Sequence, residues 1–303
     1  MRLAYRLYTF ALFIVAAAAA HAATPTIPRY DHIVIVIMAN KSYGAIHGNS
    51  SAPYINNTLV PNGAIFSNSY AVTNPDLPNY YALLSGSTQA VTDDSCPHYF
   101  ATAGNLGKQL IDGGLSFAQY SESMPTSGYT GCSSGLYARS HNPVADFATL
   151  PVTANLQYSD FAGALANATL PTISFVVPNI CNDMHGESFG STCPSFTTDL
   201  VKLGDDWLQA NVPQYLASSS AQNGLLIVTW DEDDGTVGNN NHIPTIFLGP
   251  HVKVGYTSST PINHYNVLRT LEDMYGLTAL GNAAAATPIT DVWDDTIFRN
   301  GFD

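Results

Sequence analysis

The sequence predicts an α/β fold, a three-layer sandwich with a mainly parallel central sheet. Three observations carry this expectation. Residues 32–38, His-Ile-Val-Ile-Val-Ile-Met, form a nearly unbroken apolar run, the pattern of a strand buried on both faces of a parallel sheet. Similar runs recur from Ile173 to Val177, from Leu225 to Thr229 and from Thr245 to Leu248. Helical periodicity lies between and after them, and strands that alternate with helices place those helices on the faces of one sheet.

Each element has a local reason. The first three runs lead into polar residues: Ala39-Asn40, Pro178-Asn179 and Trp230-Asp231-Glu232. In open parallel sheets, ligands bind beyond the carboxyl ends of the strands, where these residues fall. Pro78, near the start of the pattern Tyr80, Leu83, Leu84, predicts a helix beginning just after Asp76. Asp76 then sits at a helix N-terminus, where backbone N–H groups and the helix dipole favour negative charge or a bound phosphate. Leu200, Leu203 and Trp207 share one face of a helix running from about Ser195 toward Leu216. Tyr265, Leu268, Leu271 and Tyr275 do the same on a helix that stops at Gly276. The stretches 41–60, 86–104 and 121–141, rich in Ser, Gly, Asn, Thr and Tyr, are expected to be long loops over the same edge.

With 303 residues, 46% apolar and 11% charged, the chain can bury a substantial core, which excludes disorder and a coiled coil. Its 23 acids against 10 basic side chains give a net charge of −13. No field attracts a polyphosphate backbone, so nucleic acid is not an expected partner. Residues 1–22 combine Arg2 and Arg6, an apolar run from Phe10 to Ala20 and small residues at Ala20 and Ala22, the pattern of a signal peptide. That run is too short to span a bilayer, and no later segment is long and apolar enough, so no stable membrane insertion is expected. A periplasmic or secreted location follows, with one domain over 23–294 and a C-terminal tail over 295–303. In an oxidising compartment the four cysteines are expected to pair. Of three possible pairings, Cys96–Cys132 and Cys181–Cys193 are favoured, because each closes a short loop.

Three groups of residues carry chemistry. Asp231-Glu232-Asp233-Asp234 places four acids directly after a buried strand, and a divalent cation is one of the few things that relieves their repulsion without protonation. His185, His242 and His264 all lie near predicted strand or helix ends. With Asp183, Asp231 and Glu232 they form a set of hard oxygen and imidazole ligands suited to divalent metals and phosphate chemistry. Asp76, at its helix start, is the third.

The order of the motifs resembles the phosphoesterase family. They are Met38-Ala39-Asn40-Lys41-Ser42-Tyr43, Pro75-Asp76-Leu77-Pro78-Asn79-Tyr80, Pro178-Asn179 with Asn182-Asp183-Met184-His185, Thr229-Trp230-Asp231-Glu232, and Asn263-His264-Tyr265. That family contains bacterial acid phosphatases and phospholipases C and belongs to the alkaline phosphatase superfamily. The resemblance covers most of residues 30–294 and implies an alkaline-phosphatase-like fold and metal-assisted attack on phosphorus. Carried onto this chain, it makes Asp76, Asn79 and His185 candidates for catalysis. It assigns Asn40, Asp76, Asp183, Asp231, Glu232 and His264 to a divalent metal ion of unspecified identity, and Asn179, His185 and His242 to the substrate.

Two positions depart from the family pattern. Where the family has a metal-binding glutamate before Asn40 this chain has Ala39, and where it has a nucleophilic serine this chain has Asp76. Asp76 could attack phosphorus itself, or replace the carboxylate missing at position 39 while water attacks, or mark a member that binds without turnover. The expected function is that of an exported, metal-dependent hydrolase of phosphomonoesters. The alternatives are an impaired member that binds phosphate esters or glycans, and a phospholipase C. A small phosphorylated substrate or a phospholipid headgroup is the expected partner.

Overall fold

The computed structural model describes residues 27–186, 192–193 and 199–294. The expected signal peptide, C-terminal tail and start of the helix near Ser195 lie outside these residues. Eight strands build the main sheet: β1 (His32–Met38), β2 (Ala64–Phe66), β3 (Phe117–Ser121), β4 (Asn155–Gln157), β5 (Ile173–Val177), β6 (Gly224–Trp230), β7 (Thr245–Leu248) and β8 (Tyr256–Ser258). Their order is β8-β2-β7-β6-β1-β5-β3-β4, and only β7 runs against its neighbours. A mainly parallel sheet is therefore the observed architecture.

The apolar run at 32–38 explains the layering. Ile33, Ile35 and Ile37 enter one apolar cluster while Val34, Val36 and Met38 enter another on the opposite face. The two-residue alternation of a strand divides them, and both sets must be apolar because both faces are covered. Helices α1 (Asp76–Ser85), α2 (Leu106–Asp112) and α5 (His264–Tyr275) pack on the first face; α3 (Tyr158–Ala166) and α4 (Leu200–Gln222) pack on the second. As expected from Gly276, α5 ends there in a left-handed turn with φ 66°. At Gly204 in α4, an added Cβ would lie 2.5 Å from the Met184 side chain, so this glycine lets the helix press against the turn after β5.

Both expected disulfides are present, Cys96–Cys132 and Cys181–Cys193, each with Cα atoms 5.6 Å apart. Among the described residues no helix is long and apolar enough to cross a membrane.

Candidate active site

The ends of β1, β5 and β6 meet the start of α1. Asp76 is the first residue of α1, and Asn79, one turn later, secures the segment leading into it. Its side-chain oxygen accepts from the N–H groups of Val72 and Thr73, both at 3.0 Å, and its amide nitrogen donates to the carbonyls of Thr73 and Pro75. All its polar atoms are spent on the loop, so Asn79, expected in catalysis, positions Asp76.

The Asp76 carboxylate is buried and bridges two imidazoles. Its Oδ2 lies 3.4 Å from Nε2 of His141 and 3.4 Å from Nε2 of His185. Burial pushes its proton affinity up, but hydrogen bonds from both histidines outweigh that and hold the carboxyl below the usual range. On its far side His141 donates from Nδ1 to Asp183 Oδ2 at 2.9 Å. Burial alone would neutralise His141; the Asp183 and Asp76 charges instead keep it protonated, with its affinity well above the ordinary histidine value. His185 is likewise raised, burial being outweighed mainly by its bond to Asp76, and its side chain is 20% exposed where that of His141 is 4% exposed. His185 is thus the imidazole a ligand can reach.

Next to this cluster stands the acid run after β6. Asp231 Oδ1 accepts the N–H of Glu232 at 2.5 Å and that of Asn40 at 3.3 Å. Asn40 follows β1 with φ 51°, a left-handed conformation that asparagine tolerates better than most residues. Burial, and then the Asp76 charge, push Asp231 well above the usual carboxylate range and Glu232 up to about 9. His264, at the start of α5, donates from Nε2 to the Trp230 carbonyl at 3.0 Å. Burial pushes its imidazolium down to about 4, leaving a neutral ring.

The donor types gathered at these strand and helix ends suit a divalent cation. Asn40 Oδ1, Asp76 Oδ1, Asp231 Oδ2, Glu232 Oε2 and His264 Nδ1 are all buried without a hydrogen-bond partner, and unsatisfied buried polar atoms are costly. The set is hard oxygen plus one neutral imidazole whose other nitrogen is fixed by a carbonyl, the arrangement of a metal-binding histidine. Among the described residues, Asp76, His141 and His185 are the His and carboxylate side chains that bring three ligand atoms within 4.8 Å of one another.

Several expected residues take other roles. Asp183, expected as a ligand, has Oδ2 on the His141 ring and Oδ1 on the His185 backbone N–H at 2.8 Å, so it orients one imidazole and anchors the turn that carries the other. Asn179, expected at the substrate, caps its own turn, with Oδ1 accepting from Cys181 and Asn182. His242 is stacked between Tyr43 and Tyr70 at 4.7 and 5.1 Å and its Nε2 meets the Ser67 carbonyl at 2.9 Å, which makes it a packing residue. Asp233 binds back to Asn241 and Gly235 within its turn. Sequence reasoning missed His141 altogether. It sits in a single 3-10 turn, Arg139–His141, without periodicity, and nothing local marks it.

The phosphoesterase family model matches residues 49–278. The chain belongs to the phosphoesterase family. A phosphatidylinositol-3-phosphatase of Mycobacterium tuberculosis is 42% identical over 273 residues, covering 90% of this chain and 86% of that protein. An acid phosphatase of Aspergillus fumigatus is 27% identical over 249 residues, 77% of this chain, which spans only 53% of the fungal protein. Among solved structures, a protein of the alkaline phosphatase superfamily from Vibrio parahaemolyticus superimposes with TM-score 0.59 at 15% identity, over 87% of this chain and 70% of that one. The lipoteichoic acid synthase LtaP of Listeria monocytogenes gives 0.58 at 9% identity, over 92% of this chain and 80% of that one. At such identities the likeness shows the fold alone. The relatives make this phosphoesterase a phosphoester hydrolase.

Proposed function

We propose that the protein is an exported, divalent-metal-dependent phosphomonoesterase in which Asp76 replaces the acid absent at position 39. The observation that carries this reading is the state of the Asp76 carboxylate. One oxygen is pinned between two imidazoles and the other is buried and bare, as are Asn40 Oδ1, Asp231 Oδ2 and Glu232 Oε2. A carboxylate so held is an anchor rather than a mobile attacking group, which favours water as the attacking species. The names of the relatives, a phosphatidylinositol phosphatase and acid phosphatases, support a phosphomonoester as substrate, free or on a lipid headgroup.

Asn40, Asp76, Asp231, Glu232 and His264 would hold the cation. When bound, it supplies Lewis-acid polarisation of a phosphoryl oxygen. The chain's own residues do the rest. His141, kept charged by Asp183 and Asp76, fixes the Asp76 carboxylate and places positive charge where anionic substrate oxygens collect. His185, reachable from solvent and held protonated by Asp76, donates a proton to the leaving alkoxide oxygen. Asp183 holds the His141 ring by one oxygen and the His185 backbone N–H by the other.

Phosphate release from 4-nitrophenyl phosphate by chelator-treated protein, before and after adding Mn2+, Mg2+ or Zn2+, tests the proposal. Metal-stimulated release is expected. No release with any of these ions, from mildly acidic to mildly basic pH, contradicts it.

A further inference from the structure

Lys41 stands outside every role described so far, although it follows Asn40 directly. Its ammonium donates to two backbone carbonyls, Asn40 O at 2.8 Å and Met184 O at 2.8 Å. Both residues are left-handed, with φ 51° at Asn40 and 82° at Met184. For a side chain as large as methionine this conformation is strained and persists only where the surroundings enforce it. Asn40 presents the bare Oδ1 at the cation site, while Met184 stands between Asp183 and His185. One side chain therefore ties together the two strand-end turns that carry both halves of the site. The backbone adds a second tie, from the Ala39 N–H to the Asp183 carbonyl at 2.8 Å. Burial lowers the proton affinity of the ammonium, and the charges of Asp183, Asp234, Asp231 and Asp199 oppose that lowering.

We propose that Lys41 is a positioning residue for hydrolysis, an ammonium staple that holds the Asn40 and Met184 turns in register so that Asn40 keeps its contact with Asp231 while Asp183 and His185 keep theirs with His141 and Asp76. The inference rests on the hydrolytic reading above. Lysine suits the task because its compact head carries three donors on a flexible stem, whereas an arginine fork would have to spread its planar donors over two carbonyls already in place.

The test uses the full chain in three forms, Lys41→Ala, Lys41→Met and the parent. A misplacement near 1 Å costs about 100-fold in rate, so Lys41→Ala is expected to lower kcat for 4-nitrophenyl phosphate by about 30–100-fold, with KM changed less than about threefold. Methylammonium, which can donate to both carbonyls, should restore at least a tenth of the lost rate; tetramethylammonium, which cannot donate, should restore none. Independently of activity, hydrogen exchange in Lys41→Met should quicken at the Ala39 and Asp183 amides and stay unchanged in the central strands. Parent-like kcat in Lys41→Ala overturns the proposal. So does a global loss of melting temperature that accounts for the whole effect, or parent-like exchange at those two amides. A parent that hydrolyses no ester sinks the hydrolytic reading instead, and the exchange measurement still decides the staple.

Discussion

Asp76 can be changed with little change of volume, which separates its charge from its bulk. In Asp76→Asn the two imidazoles lose the carboxylate between them, and the acids after β6 lose a neighbour that raises their proton affinity. On this account kcat falls on the order of 100- to 1,000-fold, by steady-state kinetics, in a protein that still folds. His185→Gln should lose on the order of 100-fold with a phenyl or alkyl ester, and less with a leaving group so acidic that it needs no proton. At this scale Asp76, Asp231, Glu232, Asn40 and His264 were legible because each follows a strand or opens a helix. His141 was hidden because its role is written in Asp183, 42 residues away. Asn79 and Asn179 show the limit of residue type: a buried amide beside a loop can satisfy several backbone groups at once, and the sequence alone does not tell that duty from binding.

The elements are joined around α1 by a buried ion pair. Arg139 donates from Nε and Nη2 to Asp146 Oδ1 at 2.9 and 2.6 Å, and Tyr81 on α1 donates to Asp146 Oδ2 at 2.6 Å. Its guanidinium also binds the carbonyls of Thr130, His98 and Ala145, so two loops and a helix converge two residues before His141. Arg139→Met would leave a buried carboxylate without its cation and should cost about 3–5 kcal/mol in urea unfolding. Tyr81→Phe removes one bond to the same group and should cost about 2 kcal/mol. Equal losses in the two variants would contradict this hierarchy. β1, β5, β6 and β7 could be read from their apolar runs. β3 could not, because its Phe-Ala-Gln-Tyr-Ser carries two buried polar residues, Gln119, whose Nε2 donates to Ser121 Oγ and to the His141 carbonyl, and Ser121 itself. β2, β4 and β8 are three residues each, too short for any periodicity to register.

For the whole molecule, stability depends on pH through a group far from the chemistry. Glu272 is fully buried on α5, with Oε1 accepting the Leu280 N–H at 2.8 Å and Oε2 bare. Burial raises its carboxyl from 4.5 to about 7. Because the folded state holds this proton more tightly than the unfolded chain, the stability it confers is complete below about pH 4.5 and lost as pH rises through about 7. The loss is on the order of 3 kcal/mol. Glu272→Gln should therefore stabilise the protein at pH 8 and flatten its unfolding curve between pH 5 and 8; an unchanged pH dependence would assign it to other groups. The layer architecture and mainly parallel sheet were legible because hydrophobic burial dictates them. Strand order and the reversed β7 were not, since they depend on which edges meet in space.

The convergence of Asp76, Asp231, Glu232, Asn40 and His264 on one cation is tested most directly by calorimetric titration of chelator-stripped protein with Mn2+ alone. Saturable binding is predicted in the parent, weakened at least about tenfold in Asp231→Asn. Absence of saturable binding, or equal affinity in the two proteins, would contradict it.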